Sequence, residues 1–352
     1  GTKLIINEPG SMTVTSETCI IRYMDGDANA GIYINGDNND ETIGLNLSVA
    51  YFYQGMINAK DANIQAGTYW QTNETDGQGS ANLVLDNSKL VVSVYDHPAK
   101  ATGNSTVTLT NGSTLDALNG GFTYGDNTTL SVDATSKIID KGGEEVKLPV
   151  AQIGTTKYTS LQAAFNAVQE GETIILVDNV TISAETAGYT DGTYTDGVRY
   201  TGDKSFTVDF NGKTVTDDGC VNDYLIYINN KGEKASEITF TNGTIVSANG
   251  CWSAVCVNSS AATQNVKLNL NRMNITNSND AEYSGNPVVR VRNLATVNVN
   301  DGTIITSNGA SYGVAANTDG STVNINEGAT IVQQNSGTTG GNSVFAAVGG
   351  KG

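Results

Sequence analysis

The chain is poor in the residues that mark several common protein classes. Its 352 residues include one histidine, four cysteines and four prolines, and 19 basic residues face 36 acidic ones. A single histidine and the lack of any CxxC pair argue against a His/Cys zinc site and against serine or cysteine triads. The formal net charge of −17 disfavours nucleic acid as a partner. No apolar run approaches the roughly 20 residues of a membrane-spanning helix.

What the chain does contain is an internal repeat of short alternating strands. In the second half, an apolar–polar–apolar segment followed by a turn and a Thr-apolar pair begins at Val208, Ile238, Leu268, Val297 and Val323. A second set of alternating segments begins at Leu225, Ala254, Val288, Gly313 and Ser343. The first half repeats more weakly, with copies that begin at Leu83, Val107 and Leu130. Tandem units of short, half-buried strands are typical of solenoids.

This pattern predicts an all-β protein made of two right-handed parallel β-helix modules in series. The predicted boundaries are 1–140 for a module with shorter coils, 141–157 for a linker and 158–352 for the second module. A sandwich of antiparallel hairpins is the alternative, because it also explains the Asn-Gly turns. A sandwich does not explain why both sets of strand segments repeat with a similar period.

One amphipathic helix is predicted over 159–170. Thr159 and Gln162 have the spacing of a capping box, and Gly171 stands where a helix commonly ends. An apolar stripe runs along it, consisting of Tyr158, Leu161, Ala164, Phe165 and Val168. Because a solenoid exposes apolar core at its ends, we interpret this helix as a cap on the second module.

Two features depend on how neighbouring repeats stack. Asn211, Asn271, Asn300 and Asn326 recur at the turn, with Thr241 in the remaining place. They either form a hydrogen-bonded amide ladder or simply tolerate a left-handed turn.

Cys220 and Cys251 are 31 residues apart, close to one repeat, and are either a disulfide or two stacked thiols.

The segment VAQIGTTKYTSLQAAFNAVQEGETIILVDNVTI, followed by FTVDFNGKTVT, resembles modules of large secreted and surface proteins of bacteria. These modules are similar to the pectate-lyase-like superfamily of right-handed parallel β-helices, which includes adhesins, polysaccharide lyases and glycoside hydrolases. The resemblance covers about Val150 to Val215. It implies a secreted or cell-surface protein, although this chain contains no export signal.

The chain does not contain the catalytic motifs of the superfamily as a complete, correctly ordered set. Asn317-Thr318-Asp319 and Asp217-Asp218 match two hydrolase motifs, but in reversed order, and no Gly-His-Gly occurs. We therefore predict no catalytic residues and a non-catalytic role in adhesion, glycan or host-protein binding, or spacing. The alternative is a polysaccharide lyase or glycoside hydrolase. An enzyme would bring carboxylates and a basic residue together across adjacent coils, whereas a binder or spacer would leave charges scattered.

Two groups of residues are candidates for ligand binding. Tyr189, Tyr194 and Tyr200 lie in a long loop, about 184–203, where aromatic faces beside Asp and Arg suit sugar rings. Arg290 and Arg292 are two residues apart in a strand and therefore share one face, which suits an anionic sugar or a solvated surface.

Calcium is the one cofactor that the sequence suggests. Asp25, Asp27 and Asn29 have the alternate spacing of an oxygen-rich calcium loop. The loop lacks the glycine and glutamate of an EF-hand, so a solvated turn is the alternative.

Overall fold

The chain divides into two compact units, Gly1–Leu148 and Pro149–Gly352. The computed structural model describes residues 3–7, 12–14, 20–21, 31–35, 45–47, 51–52, 55–66, 81–92, 99–101, 105–125, 128–133, 135–247, 250–260, 265–277, 286–308, 312–334 and 344–346. The boundary falls inside the predicted linker, 141–157. Val146 and Leu148 pack on the core of unit one, while Val150 packs on that of unit two. Residues of the predicted linker thus contact the cores of both units.

Unit one contains sixteen strands in its described residues. They are β1 (Lys3–Asn7), β2 (Met12–Val14), β3 (Ile20–Ile21), β4 (Gly31–Asn35), β5 (Leu45–Leu47), β6 (Tyr51–Phe52), β7 (Gly55–Lys60), β8 (Asn63–Ala66), β9 (Ala81–Asp86), β10 (Lys89–Val92), β11 (Ala99–Ala101), β12 (Thr106–Thr110), β13 (Thr114–Asp116), β14 (Phe122–Tyr124), β15 (Thr129–Val132) and β16 (Lys137–Ile139). Two six-stranded sheets have the orders β1-β4-β7-β9-β12-β15 and β2-β5-β8-β10-β13-β16. Each repeat thus contributes one strand to each sheet.

Unit two contains one α-helix and twenty strands in its described residues. They are β17 (Ala151–Ile153), β18 (Thr156–Tyr158), α1 (Leu161–Ala167), β19 (Thr173–Leu176), β20 (Val180–Ile182), β21 (Tyr189–Thr190), β22 (Thr195–Asp196), β23 (Val198–Tyr200), β24 (Phe206–Asp209), β25 (Thr214–Asp217), β26 (Tyr224–Asn230), β27 (Ser236–Ser247), β28 (Ser253–Ser259), β29 (Val266–Asn277), β30 (Val289–Asn293), β31 (Thr296–Val299), β32 (Ile304–Asn308), β33 (Val314–Ala316), β34 (Thr322–Ile325), β35 (Thr330–Gln334) and β36 (Val344–Ala346). A twelve-stranded sheet follows the path β18-β17-β19-β24-β27-β29-β31-β34. A six-stranded sheet, here called the third-column sheet, has the order β23-β26-β28-β30-β33-β36.

The strand register follows the sequence repeat. Leu83, Val107 and Leu130 are neighbours across parallel strands, as are Ile238, Leu268, Val297 and Val323. Ile226 pairs with Val255, Val255 with Val289, and Val289 with Val314, as the second set of segments predicts. The all-β class and the parallel pairing are confirmed. Antiparallel pairing between two of the described strands is confined to β17 with β18 and β19, and to β21 with β22. One isolated antiparallel bridge joins Ile139 to Glu145.

One copy of the repeat is displaced from its predicted register. Phe206, and not Val208, lies beside Ile238, so β24 is shifted by two residues. Alternation has a period of two, so a shift of two keeps the same side chains in the core and the sequence pattern cannot detect it. The register returns after the turn, where Thr214 lies beside Thr244.

The helix buries the stripe that the sequence indicated. Leu161, Ala164, Phe165 and Val168 are at most 1% exposed, and Phe165 meets Phe206 edge-on, with 5.6 Å between ring centroids. The predicted ends are wrong. Ser160 is the N-cap, because its side chain accepts a hydrogen bond from the N–H of Ala163 (3.1 Å). The helix ends at Ala167, ahead of Gly171.

Gln162, predicted to cap the helix, instead closes the edge of the third-column sheet. Its Oε1 accepts from the Arg199 N–H (2.7 Å), and its Nε2 donates to the Arg199 carbonyl (2.9 Å). This amide pairs with β23 as a neighbouring strand would, which satisfies an otherwise exposed strand edge. Gly188 passes so close that a Cβ there would lie 1.9 Å from Gln162 Oε1. In the twelve-stranded sheet, β17 covers the edge of β19.

Asparagine ladders cross the outer face of the twelve-stranded sheet. Asn326 Nδ2 donates to Asn300 Oδ1 (2.6 Å), and Asn300 Nδ2 donates to Asn271 Oδ1 (2.7 Å). A second, unpredicted ladder runs from Asn324 through Asn298 to Asn269, with distances of 2.8 and 2.7 Å. The central amides, Asn300 and Asn298, each donate to one repeat and accept from the other, so the columns hold adjacent repeats in register.

Asn211 is not part of the predicted ladder. Its φ is 50°, and its Nδ2 donates to the Leu176 carbonyl (3.3 Å). The two-residue shift of β24 moves Asp209 into the column beside Thr241. Asn211 therefore follows the other interpretation, in which asparagine tolerates a left-handed turn.

Of the two alternatives for Cys220 and Cys251, the structure has the thiols. Neither residue forms a disulfide, and Cys256 does not form one either. Cys251 Sγ donates to the Ser253 carbonyl (3.1 Å), whereas Cys220 Sγ lies 3.6 Å from the Ile182 carbonyl. Burial is the main reason that the pKa of Cys220 rises to about 12. These thiols are therefore unreactive at neutral pH.

The ladder gives a graded prediction for stability. Asn300→Ala removes two amide hydrogen bonds and should lower the free energy of unfolding by roughly 1–2 kcal/mol, at about 1 kcal/mol per bond. Asn326→Ala removes one of the described bonds and should cost about half as much. Urea unfolding monitored by circular dichroism measures both. Equal losses of unfolding free energy in the two variants would contradict the prediction, because the loss would then not follow the number of amide hydrogen bonds removed.

Candidate functional site

A hairpin inserted before the third-column sheet begins the candidate site. Strands β21 and β22 pair Tyr189 with Asp196. Asp191 holds the turn, since its Oδ1 accepts from the N–H groups of Thr193 (2.9 Å) and Tyr194 (2.8 Å). These hydrogen bonds lower the pKa of the exposed Asp191. The hairpin therefore stands as an ordered element where the sequence indicated only a long loop.

The hairpin is tied to the next repeat by backbone and side-chain contacts. Asn222 Oδ1 accepts from the Thr195 N–H (2.7 Å), and Asn222 Nδ2 donates to the Thr193 carbonyl (2.9 Å). The Gly197 N–H donates to the Tyr224 carbonyl (2.9 Å). These contacts bring the hairpin against the segment that leads into β26.

Aromatic side chains from two neighbouring repeats meet here. Tyr194 and Trp252 are edge-to-face, with ring centroids 5.5 Å apart, and Trp252 also meets Tyr224 at 6.5 Å. Tyr224 stacks on Tyr227 at 5.1 Å. Tyr189, Tyr194 and Trp252 are 38%, 41% and 36% exposed, and we call these three residues the aromatic patch. Tyr224 and Tyr227 are buried beneath it.

Arg199 lies at the centre of the hairpin's side-chain contacts. Its guanidinium is 3.8 Å from the centroid of the Tyr189 ring and 5.2 Å from that of Tyr227. Its Nη1 is 3.3 Å from Asp196 Oδ2. One cation thus contacts both strands of the hairpin and the sheet below.

The strand register brings two further arginines to the same face. Arg290 lies beside Cys256, which in turn lies beside Tyr227, and Arg292 lies beside Asn258. Arg290 Nη2 donates to Asn286 Oδ1 (2.8 Å), and Arg290 Nε donates to Ser253 Oγ (3.3 Å). Three of the five arginines in the chain therefore converge here.

Two carboxylates face these arginines. Burial, followed by the charge of Asp223, raises the pKa of Asp196 to about 6, although Arg199 and the Tyr224 N–H oppose the shift. Burial likewise raises the pKa of Asp223, against the opposing charges of Arg290, Arg199 and Arg292. Asp223 Oδ1 is buried and has no hydrogen-bond partner in the described part of the chain. We call Asp196, Arg199, Asp223, Arg290 and Arg292 the arginine–carboxylate cluster.

The structure brings together four of the five residues that the sequence singled out for binding. Tyr189, Tyr194, Arg290 and Arg292 all belong to the patch or the cluster. Tyr200 does not: it is 8% exposed and packs in the core against Phe206, at 5.0 Å between centroids. Its hydroxyl accepts from the Lys204 N–H (2.9 Å). Alternation along β23 turns Tyr200 inward, away from the patch and the cluster.

Sequence reasoning missed Asp196, Arg199, Asp223, Tyr227 and Trp252. The signal for Tyr227 was present, because aligning LIYINN with AVCVNS and VVRVRN places it in the column of Cys256 and Arg290. Arg199 lies in β23, in the same column, but its segment falls in the long loop that the sequence indicates. Asp196 comes from the hairpin, and Asp223 and Trp252 come from segments ahead of the strands, where the repeat carries no register information.

The other candidate sites bring together fewer charged and aromatic side chains. An open depression of about 470 Å³ lies at β34, lined by Asn298, Val323, Asn324, Ile325 and Asn326. The calcium candidates Asp25, Asp27 and Asn29 lie outside the described residues. Within the described residues, no three His, Cys, Asp or Glu side chains are grouped to hold a metal ion.

Comparisons with known proteins return no match to a family model, a curated protein or a solved structure. Among the residues that the structure describes, no helix is long and apolar enough to cross a membrane.

Asp196 gives a pH-dependence of stability that can be measured. Its pKa of about 6 in the folded state exceeds the ordinary value of 3.8, so the folded state holds the proton more tightly. The stability contributed by Asp196 is therefore present below about pH 4 and is lost as the pH rises through 6. Asp196→Asn removes this loss, which is on the order of 2–3 kcal/mol.

Urea unfolding between pH 4 and pH 7 checks this prediction. We expect the wild type to lose stability relative to Asp196→Asn across that range. Asp319→Asn, a substitution at an exposed turn residue, is the matched control and should follow the wild type. Parallel stability curves for wild type and Asp196→Asn would contradict the assignment.

Proposed function

We propose that the protein is a secreted or cell-surface carbohydrate-binding protein of bacterial origin, in which each unit is a right-handed parallel β-helix. The parallel register supports the β-helix, since successive repeats supply one strand to each sheet. The same register agrees with the resemblance to pectate-lyase-like modules. The acidic net charge suits an extracellular surface.

One observation carries the binding proposal: three partly exposed aromatic side chains from neighbouring repeats lie together over the arginine–carboxylate cluster. Ligand sites commonly combine aromatic surface with a few convergent polar groups. Exposed rings give the apolar faces of a sugar a large contact surface. Arg290 and Arg292 beneath them favour a glycan that carries negative groups. We therefore favour adhesion to a glycan over a purely structural spacer.

The role is proposed as non-catalytic because the carboxyl of Asp196 is engaged within the protein. Asp196 is 2% exposed, and its two oxygens contact Arg199 and the Tyr224 N–H. A general acid must reach the proton acceptor of its substrate directly or through one water. Asp196 has no such access in this arrangement.

Binding to a printed glycan array, with calcium and with a chelator, tests this proposal. Trp252→Ala should weaken binding by about tenfold or more, as truncation of a central aromatic anchor commonly does. Leu118→Ala removes an exposed apolar side chain from unit one and is the control, expected to bind as the wild type does. Thermal unfolding verifies that both variants are folded. Equal binding by Trp252→Ala and wild type would overturn the site.

A glycoside hydrolase or polysaccharide lyase is the second candidate function. It is favoured by the convergence of Asp196 and Asp223 with three arginines across adjacent repeats, which is the arrangement expected of an enzyme. A carboxyl of raised pKa beside a second carboxylate is a common basis for acid–base chemistry on sugars. The raised pKa values of both groups agree with this reading.

Turnover separates the two functions. Release of reducing or unsaturated ends from polysaccharides, abolished by Asp223→Asn and retained in Asp319→Asn, would establish an enzyme. Glycan binding without product release supports the adhesin.

A further inference from the structure

Three strands of unit two have a described neighbour on one side only. Strand β34 pairs with β31, β35 with β32 and β36 with β33, and we call their free sides the β34 edge. The Asn326 N–H donates to the Val299 carbonyl (2.9 Å), back toward β31. Alternate residues of a parallel strand direct their backbone groups to opposite neighbours, so those of Val323 and Ile325 point to the free side.

The apolar core and an asparagine ladder both stop at the β34 edge. Ile325 is 45% exposed, although its neighbour Val299 in β31 is fully buried. Ile331 is half-buried, although its neighbour Ile305 in β32 is fully buried. Asn326 donates to the ladder, and no side chain of the described residues donates to its Oδ1. A strand edge with exposed apolar side chains is a template for a further strand.

The first three strands of unit one form an edge with the same layout. In the described structure, β1 pairs with β4 alone, β2 with β5 and β3 with β6, and we call their free sides the β1 edge. Strands β1 and β2 begin nine residues apart, and β34 and β35 begin eight residues apart. The segment LIINE, 4–8, also matches VNINE, 323–327, with apolar residues at the first and third places and Asn-Glu at the end.

We propose that a second copy of this chain docks on the β34 edge through its β1 edge, adding β1 to β34 as a parallel strand. The sequence match sets the register, which places Ile6 of the second copy beside Ile325 and Asn7 of the second copy beside Asn326. Ile325 is then covered as the rest of its column is, and Asn7 takes the next place in the ladder. Pairing of backbone groups along an edge strand is a common mode of protein association.

The contact joins two different surfaces, so it is heterologous. Each copy retains one unused edge, and further copies add in the same way. Docking of this kind does not require the proposed glycan site.

The net charge sets how association depends on salt. Each copy carries a formal charge of −17, so long-range repulsion opposes the contact. Because salt screens this repulsion and leaves apolar burial intact, association should strengthen between about 20 mM and about 300 mM sodium chloride. Weaker association at the higher salt concentration would contradict a contact made by apolar and backbone groups.

Sedimentation velocity over a series of protein concentrations tests the docking. The wild type should gain mass with concentration, and Ile325→Lys should weaken association by about tenfold or more, because it places an uncompensated charge in the contact. Ile304→Lys is the matched control. Ile304 is 42% exposed and lies on β32, which is paired on both sides, so this variant should associate as the wild type does. Thermal unfolding verifies that both variants are folded.

Mixing two variants tests which edges meet. Ile6→Lys alters the β1 edge and Ile325→Lys alters the β34 edge, so each alone should remain a monomer where the wild type associates. The mixture should form a one-to-one complex, since one intact edge of each kind remains. A mixture of folded variants that stays monomeric would show that β1 is not the strand that docks.

Hydrogen exchange of the wild type locates the contact without any substitution. The amides of Val323 and Ile325 should gain protection as the protein concentration rises, while those of β24 should not change. A wild type that is monomeric at every concentration and salt, or equal losses of association in Ile304→Lys and Ile325→Lys, would overturn the proposal. Either result leaves glycan binding by the aromatic patch unaffected.

Discussion

The structure depends on the pairing of each strand with the corresponding strand of the next repeat. In a parallel ladder, equivalent residues of successive repeats stand about 4.8 Å apart, so side chains in one column are always in contact. Two consequences follow in unit two: the asparagine ladders, and the column of Arg199, Tyr227, Cys256 and Arg290. The same pairing leaves an open edge at the first repeat. Strand β17 closes it in one sheet and the Gln162 amide closes it in the other.

The candidate site arises where this regular column meets an irregular insertion. By itself, the column of Arg199, Tyr227, Cys256 and Arg290 provides only a row of basic, aromatic and thiol side chains on one face of the sheet. The hairpin adds a second layer, which places Tyr189 against the guanidinium of Arg199 and Tyr194 against Trp252. Chemistry that no single repeat contains is thus assembled from several. Binding residues commonly lie on connecting segments that a rigid scaffold of strands or helices positions.

Burial of unlike charges in one place accounts for the properties of the cluster. Asp196 and Asp223 would not remain ionised in an apolar environment alone, and the arginines offset part of that cost. The offset is incomplete, so both pKa values stay above their ordinary range. Such a balance is sensitive to pH, and it distinguishes this face from the neutral asparagine ladders on the other sheet.

The sequence by itself determined the repeat, the alternation of buried and exposed residues and the apolar face of the helix, because these follow from periodicity. It placed Asn271, Asn300 and Asn326 in one column for the same reason. Only the tertiary structure decided the two-residue shift of β24, since a shift of two preserves alternation. It also decided that Gln162 pairs with β23 and that the hairpin brings Asp196 to the arginines of the third-column sheet. Those contacts join residues distant in the chain and outside the repeat, where local pattern carries no information about proximity.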